Sequence, residues 1–432
     1  MTGWATAAAL VTASPTAALQ PLEPFLASAR NRNADELESR ANLAQQRAQS
    51  DEALGRVLPG VSANGSYIRN QYASQAALPV AGGATQLVTV TPYDQLNGTA
   101  TLRVPLVDLA NFRHLAAART SAVGAARQLD ATRLQVQGQV VQDYYQLVAN
   151  LALVAASQEA LTVSREGLRL AEARFGAGAA AALDVDRARA DVETQVQQVA
   201  SSGLQVSLAA RALESVSGLA PVLTGVVPLE DDLEPEPDLA VFKAGFEGLP
   251  SVSSARLATR AAEQQAEAQR FSLIPSLAGS ISESGTNASG FAGHDWSYQG
   301  VLTLSWSFDL TSIANIRGQD AAVETARARE LRARLSAGDA IHREWNTVSA
   351  DIARGRSARV GREAAAHASQ QARDRYQAGT ATQLELLQAQ RDAFAAEVAR
   401  IQADADLVNA RAQLRLSSGQ NLLPAPERKG TP

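Results

Sequence analysis

Two short stretches hold the residues whose types and spacing could do chemistry. RFGAGAAAALDVDRARAD runs from Arg174 to Asp191, and RYQAGTATQLELLQAQRD runs from Arg375 to Asp392. They align without a gap, 201 residues apart: Arg174 with Arg375, Phe175 with Tyr376, Gly178 with Gly379, Leu183 with Leu384, Asp184 with Glu385 and Asp191 with Asp392. In the first, Gly176-x-Gly178-x-x-Ala181 loosely fits the glycine fingerprint that cradles a dinucleotide pyrophosphate, but that fingerprint must follow a strand. Here a helical pattern precedes it, and the second stretch has Gln377 in place of the first Gly, so the cradle is rejected. In the second, Thr382 and Glu385 have the spacing of a capping box that opens a helix.

Other chemistry is scarce. With no cysteine there is no disulfide, thiolate metal site or cysteine nucleophile. The four histidines, His114, His294, His342 and His367, have no partners at ligand spacing, so no metal site is expected. No phosphate-binding Walker loop, nucleophile elbow or pair of catalytic carboxylates occurs, which predicts no enzyme and no cofactor. A net charge of -5 argues against a nucleic-acid partner.

The elements that position the two stretches are long helices. Gly178 and Gly379 each end one helical pattern just before another starts, so each stretch reads as the tip of a helical hairpin. The descending patterns, 109–175 and 310–376, are each roughly 67 residues, about 100 Å if continuous. Val140, Tyr144, Leu147, Leu151, Val154, Leu161 and Leu168 fall on a 4-3 spacing, a coiled-coil seam with gaps. The matching tips predict an internally duplicated chain. One repeat spans 21–217 with its tip near 176–182, and the other spans 251–418 with its tip near 377–383. An acidic Pro- and Gly-rich linker at 218–250, read as a solvated surface, joins them. Residues 1–20 form a signal-like apolar segment without a basic n-region, and 419–432 form a tail. A helical pattern over 22–57 precedes the first strand.

Four stretches switch to the two-residue period of strands, about 58–69, 93–107, 274–284 and 295–308. An aperiodic stretch, 71–92, reads as an exposed loop. In the fourth strand Trp296, Tyr298, Gly300, Leu302, Leu304, Trp306 and Phe308 share one face, while Ser297, Gln299, Thr303, Ser305 and Ser307 share the other. Its aromatics sit at the two ends and its aliphatics in the middle. From Trp296 to Trp306 the strand rises roughly 33 Å, or about 25 Å of height at a ~40° tilt, the height of an outer-membrane barrel's apolar band with its aromatic girdles. The chain has a mean hydropathy of -0.13 and lacks a long apolar run after its N-terminus, which excludes a bundle of transmembrane helices. The competing reading is a soluble coiled-coil structural or periplasmic adaptor protein with small β modules.

Four strands cannot close a barrel, and open edges are not tolerated in lipid. The membrane reading therefore requires self-assembly. Three copies give twelve strands, with three sets of antiparallel helices forming a hollow cylinder. The expected fold class is mainly α with a membrane β part.

In its tip motifs, its strand–loop–strand units each followed by a long helix, and its duplication, the chain resembles the TolC-type outer membrane efflux family from about residue 34 to 418. The resemblance implies a homotrimeric exit duct in the outer membrane of a bacterium, with a periplasmic helical extension. It would serve a tripartite efflux or type I secretion system, docked on a periplasmic adaptor (membrane fusion) protein and an inner-membrane pump of RND or ABC type. Carried over residue by residue, the constriction falls on Glu385 and Gln388. The tyrosine that helps tie the tips shut is Tyr376, while Ala381 stands where the family has a basic residue. Arg174, Gly178, Arg375 and Gly379 are the implied adaptor-docking tips. Trp296, Tyr298, Trp306 and Phe308 are the membrane girdle.

Overall fold

The computed structural model describes residues 19–79, 85–223, 229, 231–290 and 294–422. The signal-like segment lies outside them except for Leu19 and Gln20, and so does most of the C-terminal tail. The first helical pattern is broken in two, α1 (Leu22–Arg32) and α2 (Ala34–Gly55). At Asn33 the backbone is extended. Its Oδ1 accepts from the amides of Asp35 at 2.9 Å and Glu36 at 3.3 Å, so one asparagine ends a helix and caps the next.

Strand β1 (Gly60–Arg69) is followed by β2 (Ser74–Pro79), β3 (Thr85–Thr91) and β4 (Asp94–Val107). The expected loop at 71–92 therefore holds a β-hairpin, a correction to the sequence reading. Val88, Thr89, Val90 and Thr91 are β-branched and suited to it. Adjacent apolar residues, Ala76-Ala77-Leu78 and Leu87-Val88, hide the two-residue period that would have revealed it.

Helix α3 (Leu109–Gly176) reverses into α4 (Ala182–Ser217). Then come α5 (Leu239–Lys243), α6 (Pro250–Phe271), β5 (Ser276–Thr286), β6 (Trp296–Ser305), α7 (Leu310–Gln377) and α8 (Gln383–Ser417). Both α3 and α7 have 68 residues. One window of α3 is apolar and long enough, by composition alone, to cross a membrane. A third of that window is buried, and Val140, Val141, Leu147 and Val148 of α3 belong to a helical core.

The chain divides into two compact units. The first comprises Met1–Arg40, Gln128–Val252 and Arg334–Pro432. In it, Phe25 and Leu26 of α1 pack with Val140, Tyr144 and Leu147 of α3 and Leu213 of α4. A second cluster joins Phe242 and Leu249 to Ile341, Val348 and Ile352 of α7 and to Leu407 and Leu414 of α8. The acidic linker exposes Asp232, Glu234 and Asp238, but Asp231 and Glu236 depart from the solvated run expected of it. Arg411 of α8 lies 2.9 Å from Asp231 and 2.5 Å from Glu236, and all three side chains are nearly buried. Arg356 and Arg359 donate to the Leu233 and Asp231 carbonyls. Buried carboxylates need partners, and three arginines projecting from α7 and α8 meet the segment's carboxylates and backbone carbonyls.

The second unit comprises Ala41–Arg127 and Ser253–Ala333. Its four-stranded antiparallel sheet has the order β1-β4-β5-β6. Thr120 of α3 donates to Gln264 of α6 at 2.7 Å, and the Arg113 guanidinium lies over the Phe271 ring. Strand β6 ends at Ser305, so Trp306 and Phe308 follow the strand instead of belonging to it. Trp306 is nonetheless anchored, its Nε1 donating to the Leu273 carbonyl at 3.1 Å.

Candidate functional site: the hairpin tips and the outward face of the sheet

At both tips a glycine makes the reversal, Gly178 at φ 74° and Gly379 at φ 78°. In this left-handed region a Cβ is disfavoured, which explains why the two copies agree there. The entering helix is capped differently in each. Thr382 Oγ1 accepts from the Glu385 amide at 3.2 Å. In the first tip Ala181 has no such acceptor, and the Asp184 carboxylate instead receives the Ala181 amide at 3.4 Å. Each tip thus keeps one half of a capping box. Glu385 and Gln388, three residues apart, both lie exposed near the start of α8, on neighbouring faces.

The tips also meet each other. Arg174, at the end of α3, donates from Nη1 to the Tyr376 carbonyl at the end of α7. Its guanidinium stacks on the Tyr376 ring, 4.6 Å from the centroid. Tyr376 is 3% exposed, and its hydroxyl is buried without a partner among the described residues. Burial pushes the phenol's pKa up; the Arg174 charge opposes this and Asp184 adds to it. Among the described residues Arg375, the counterpart of Arg174, reaches the Thr380 carbonyl of its own turn, at 3.5 Å. Phe175, the counterpart of Tyr376, is half exposed.

Further along, Asp191 of α4 is 3% exposed and accepts from Ser164 of α3 at 2.9 Å and from Arg391 of α8 at 3.1 Å. Sequence reasoning missed this tie. The alignment of Asp191 with Asp392 was the available signal, but nothing in it marked which copy would be buried. Beside the tie, the four helices line a cleft that includes Glu159, Gln195, Arg362, Arg373 and Glu397. Burial raises the Glu397 pKa, but hydrogen bonds and charge from Arg400 and Arg362 outweigh it and leave the carboxyl below its usual range. Among the described residues no cluster of His, Asp or Glu could hold a metal ion.

In the second unit one face of the sheet carries exposed apolar residues together with Glu283, and β1 and β6 are exposed on both faces. Along β4, Leu96, Gly98, Ala100 and Leu102 are exposed, while Gln95, Asn97, Thr99 and Thr101 are half-buried. Directly paired residues share a face, so Val61, Leu102, Ile281 and Gly300 form one row. Gly285, Trp296, Tyr298, Leu302 and Leu304 belong to the same face. A Cβ at Gly285 would meet the Trp296 ring at 3.0 Å, so the indole lies across the glycine of the neighbouring strand. A water-soluble sheet hides such a face; this one presents Trp296, Tyr298, Leu302 and Leu304 outward at 67 to 85% exposure.

Residues 25–219 and 247–420 match the outer membrane efflux protein family. The chain belongs to that family. Family membership decides between the two readings of the sequence, in favour of an efflux channel of the outer membrane with a periplasmic helical part. Solved structures agree with this outer membrane efflux protein in fold. The outer membrane protein VceC of Vibrio cholerae aligns with a TM-score of 0.79 at 16% identity, over 93% of this chain and 97% of that one. The outer-membrane channel OprN aligns with a TM-score of 0.76 at 21% identity, over 94% and 91%. The Campylobacter jejuni CmeC outer membrane channel aligns with a TM-score of 0.76 at 16% identity, over 92% and 85%. A search of curated proteins found no match to this sequence.

Proposed function

We propose that this protein is a passive exit duct of a tripartite efflux or type I secretion system. The duct is a homotrimer of an internally duplicated chain, each copy giving four strands to a twelve-stranded barrel. The observation that carries the reading is the sheet itself. It carries an exposed apolar face with Trp296, Leu302 and Leu304, and among the described residues β1 and β6 each pair on one side only. Unpaired edges are costly in lipid, and pairing β6 of one copy with β1 of the next removes them. Trp296, Tyr298, Trp306 and Phe308 then sit at the two membrane interfaces.

On this reading the helical tips form the periplasmic gate. Three copies of Glu385, with Gln388 one turn on, line the constriction, and Tyr376 helps hold it shut. Converging carboxylates favour cations at the entrance. Gly178 and Gly379, with Arg174 and Arg375, form the end that meets a periplasmic adaptor carried by an inner-membrane pump of RND or ABC type.

The experiment is planar-bilayer conductance of the purified protein, paired with its mass in detergent. A trimer that conducts ions supports the duct. A monomer that leaves the bilayer silent overturns it.

A further inference from the structure

We propose that the cleft between α3, α4, α7 and α8 is a binding site for a small organic acid, an anion carried on an apolar body. The site lies within one chain and does not depend on the duct reading.

The cleft exists because of side-chain size. Each helix lines it with residues three or four apart, which share one helix face. Ala156 and Ala160 of α3, Ala366 of α7 and Ala393 of α8 stand at such positions. Where the same helices pack tightly, Val148, Val348 and Leu407 occupy the contact. Methyl groups in place of branched chains leave about 330 Å³, room for a small ligand and more than a single water needs. Phe394 adds half-buried aromatic surface to the wall.

The polar groups on the wall decide which ligand fits. Asp191 is matched by Arg391, and Glu397 by Arg362 and Arg400. Arg373 is half-buried, and its guanidinium makes no ion pair or hydrogen bond among the described residues. A cation partly withdrawn from water and without a partner attracts an anion, and its planar fork suits a carboxylate. Glu159 is a lining acid without a partner among the described residues, but it is exposed and screened by solvent. Gln195 is 9% exposed, and its Oε1 is buried with no partner. Its amide and that of Gln390, also unpaired among the described residues, can each donate or accept, so a carboxylate or a hydroxyl suits them. Buried polar groups are normally paired, and an unsatisfied amide on the wall of an open cleft points to a partner that enters from it.

The probe is 4-hydroxycinnamate, a carboxylate on a flat apolar body with a hydroxyl at its far end. Saturation-transfer NMR on the detergent-solubilised protein reads its binding. The anion should bind saturably, its methyl ester about tenfold more weakly, and tyramine, an amine of similar size, more weakly still. Arg373→Gln, at a side chain the fold does not use, should weaken the anion about tenfold and leave the ester unchanged. Ala160→Leu on α3 and Ala366→Leu on α7 each fill the cleft and should abolish binding. Arg169→Gln, at an exposed arginine of α3 outside the cleft, should change nothing. No saturable binding of the anion overturns the proposal. So does an Arg373→Gln protein that holds the anion as before, or tyramine bound as tightly as the anion, which would make Glu159 the anchor. Binding that survives both leucine variants is micelle partition and also removes the site. Conductance is a separate readout: a protein that never conducts yet binds the anion through Arg373 keeps this site and loses the duct.

Discussion

Asp191 on α4 and Arg391 on α8, 200 residues apart in sequence, form an ion pair between the two helical hairpins, with the carboxylate buried and the guanidinium mostly exposed. That inequality sets what each partner is worth. Removing Asp191 strands the Ser164 hydroxyl and Arg391 against a buried site, and Asp191→Ala should lower stability by about 1–3 kcal/mol. Removing Arg391 leaves a carboxylate still bonded to Ser164, while the exposed cation was already screened, so Arg391→Ala should cost about 1 kcal/mol or less. Denaturant melts of the detergent-solubilised protein measure both. Equal losses would mean that the pair works as a surface bridge.

The outward face of the sheet makes the sharpest demand on its surroundings. Leu302→Arg or Leu304→Arg puts a charge into lipid and should cost ~2–4 kcal/mol near the midplane. Thr303→Arg, between them on the opposite face, should assemble normally. Recovery of each variant from outer membranes tests this, and equal recovery of all three would remove lipid as the partner of that face.

Glu385 is exposed near the start of α8 with its amide held by Thr382. If three copies ring the entrance, Glu385→Ala should reduce cation preference in reversal-potential measurements, and Gln388→Glu should increase it. A cation preference unaltered by Glu385→Ala would leave Glu385 as a capping residue only.

Tyr144 is buried in the core formed by α1, α3 and α4, and its hydroxyl donates to the Gln20 carbonyl at 3.1 Å. Burial, with smaller contributions from Tyr145 and Glu23, raises its pKa from 10.0 to about 12. A pKa raised on folding means that the native state holds the proton more tightly. The stability this group contributes is fully present below pH 10.0 and is lost as pH rises through about 12. Phenolate absorbance of Tyr144→Phe subtracted from that of the native protein should show the missing group titrating near the upper value. A difference titrating near 10 would contradict its burial.

Arg411 gathers Asp231, Glu236 and the Glu234 carbonyl. Arg411→Met keeps an apolar stem but leaves Asp231 without its cation and Glu236 with Arg415 alone, at 4.0 Å, so the segment around 231–236 should detach and become the first site of limited proteolysis. Cleavage that still starts elsewhere would show that Phe242 and Leu249 hold the segment without it.

Much of the architecture was legible from local pattern. Gly178 and Gly379 announced the reversals because a left-handed backbone admits few other residues. The alternation from Trp296 to Leu304 announced a strand with one apolar face because the pleat separates neighbours. The β2–β3 hairpin was hidden because its apolar residues are adjacent and do not alternate, and the break at Asn33 because an asparagine can sit quietly inside a polar helical pattern.

Partnership was decided only in three dimensions. Arg174 and Arg375 occupy the same place in matching sequences, as do Phe175 and Tyr376. Local sequence assigns each pair the same helix end and the same turn. One arginine stacks on an aromatic ring of the other hairpin while its twin turns to its own loop, since that choice depends on where α3 and α7 lie in space. The acidic linker follows the same rule. Charge pattern alone describes a solvated run, and only the folded positions of Arg356, Arg359 and Arg411 convert it into a clamped one.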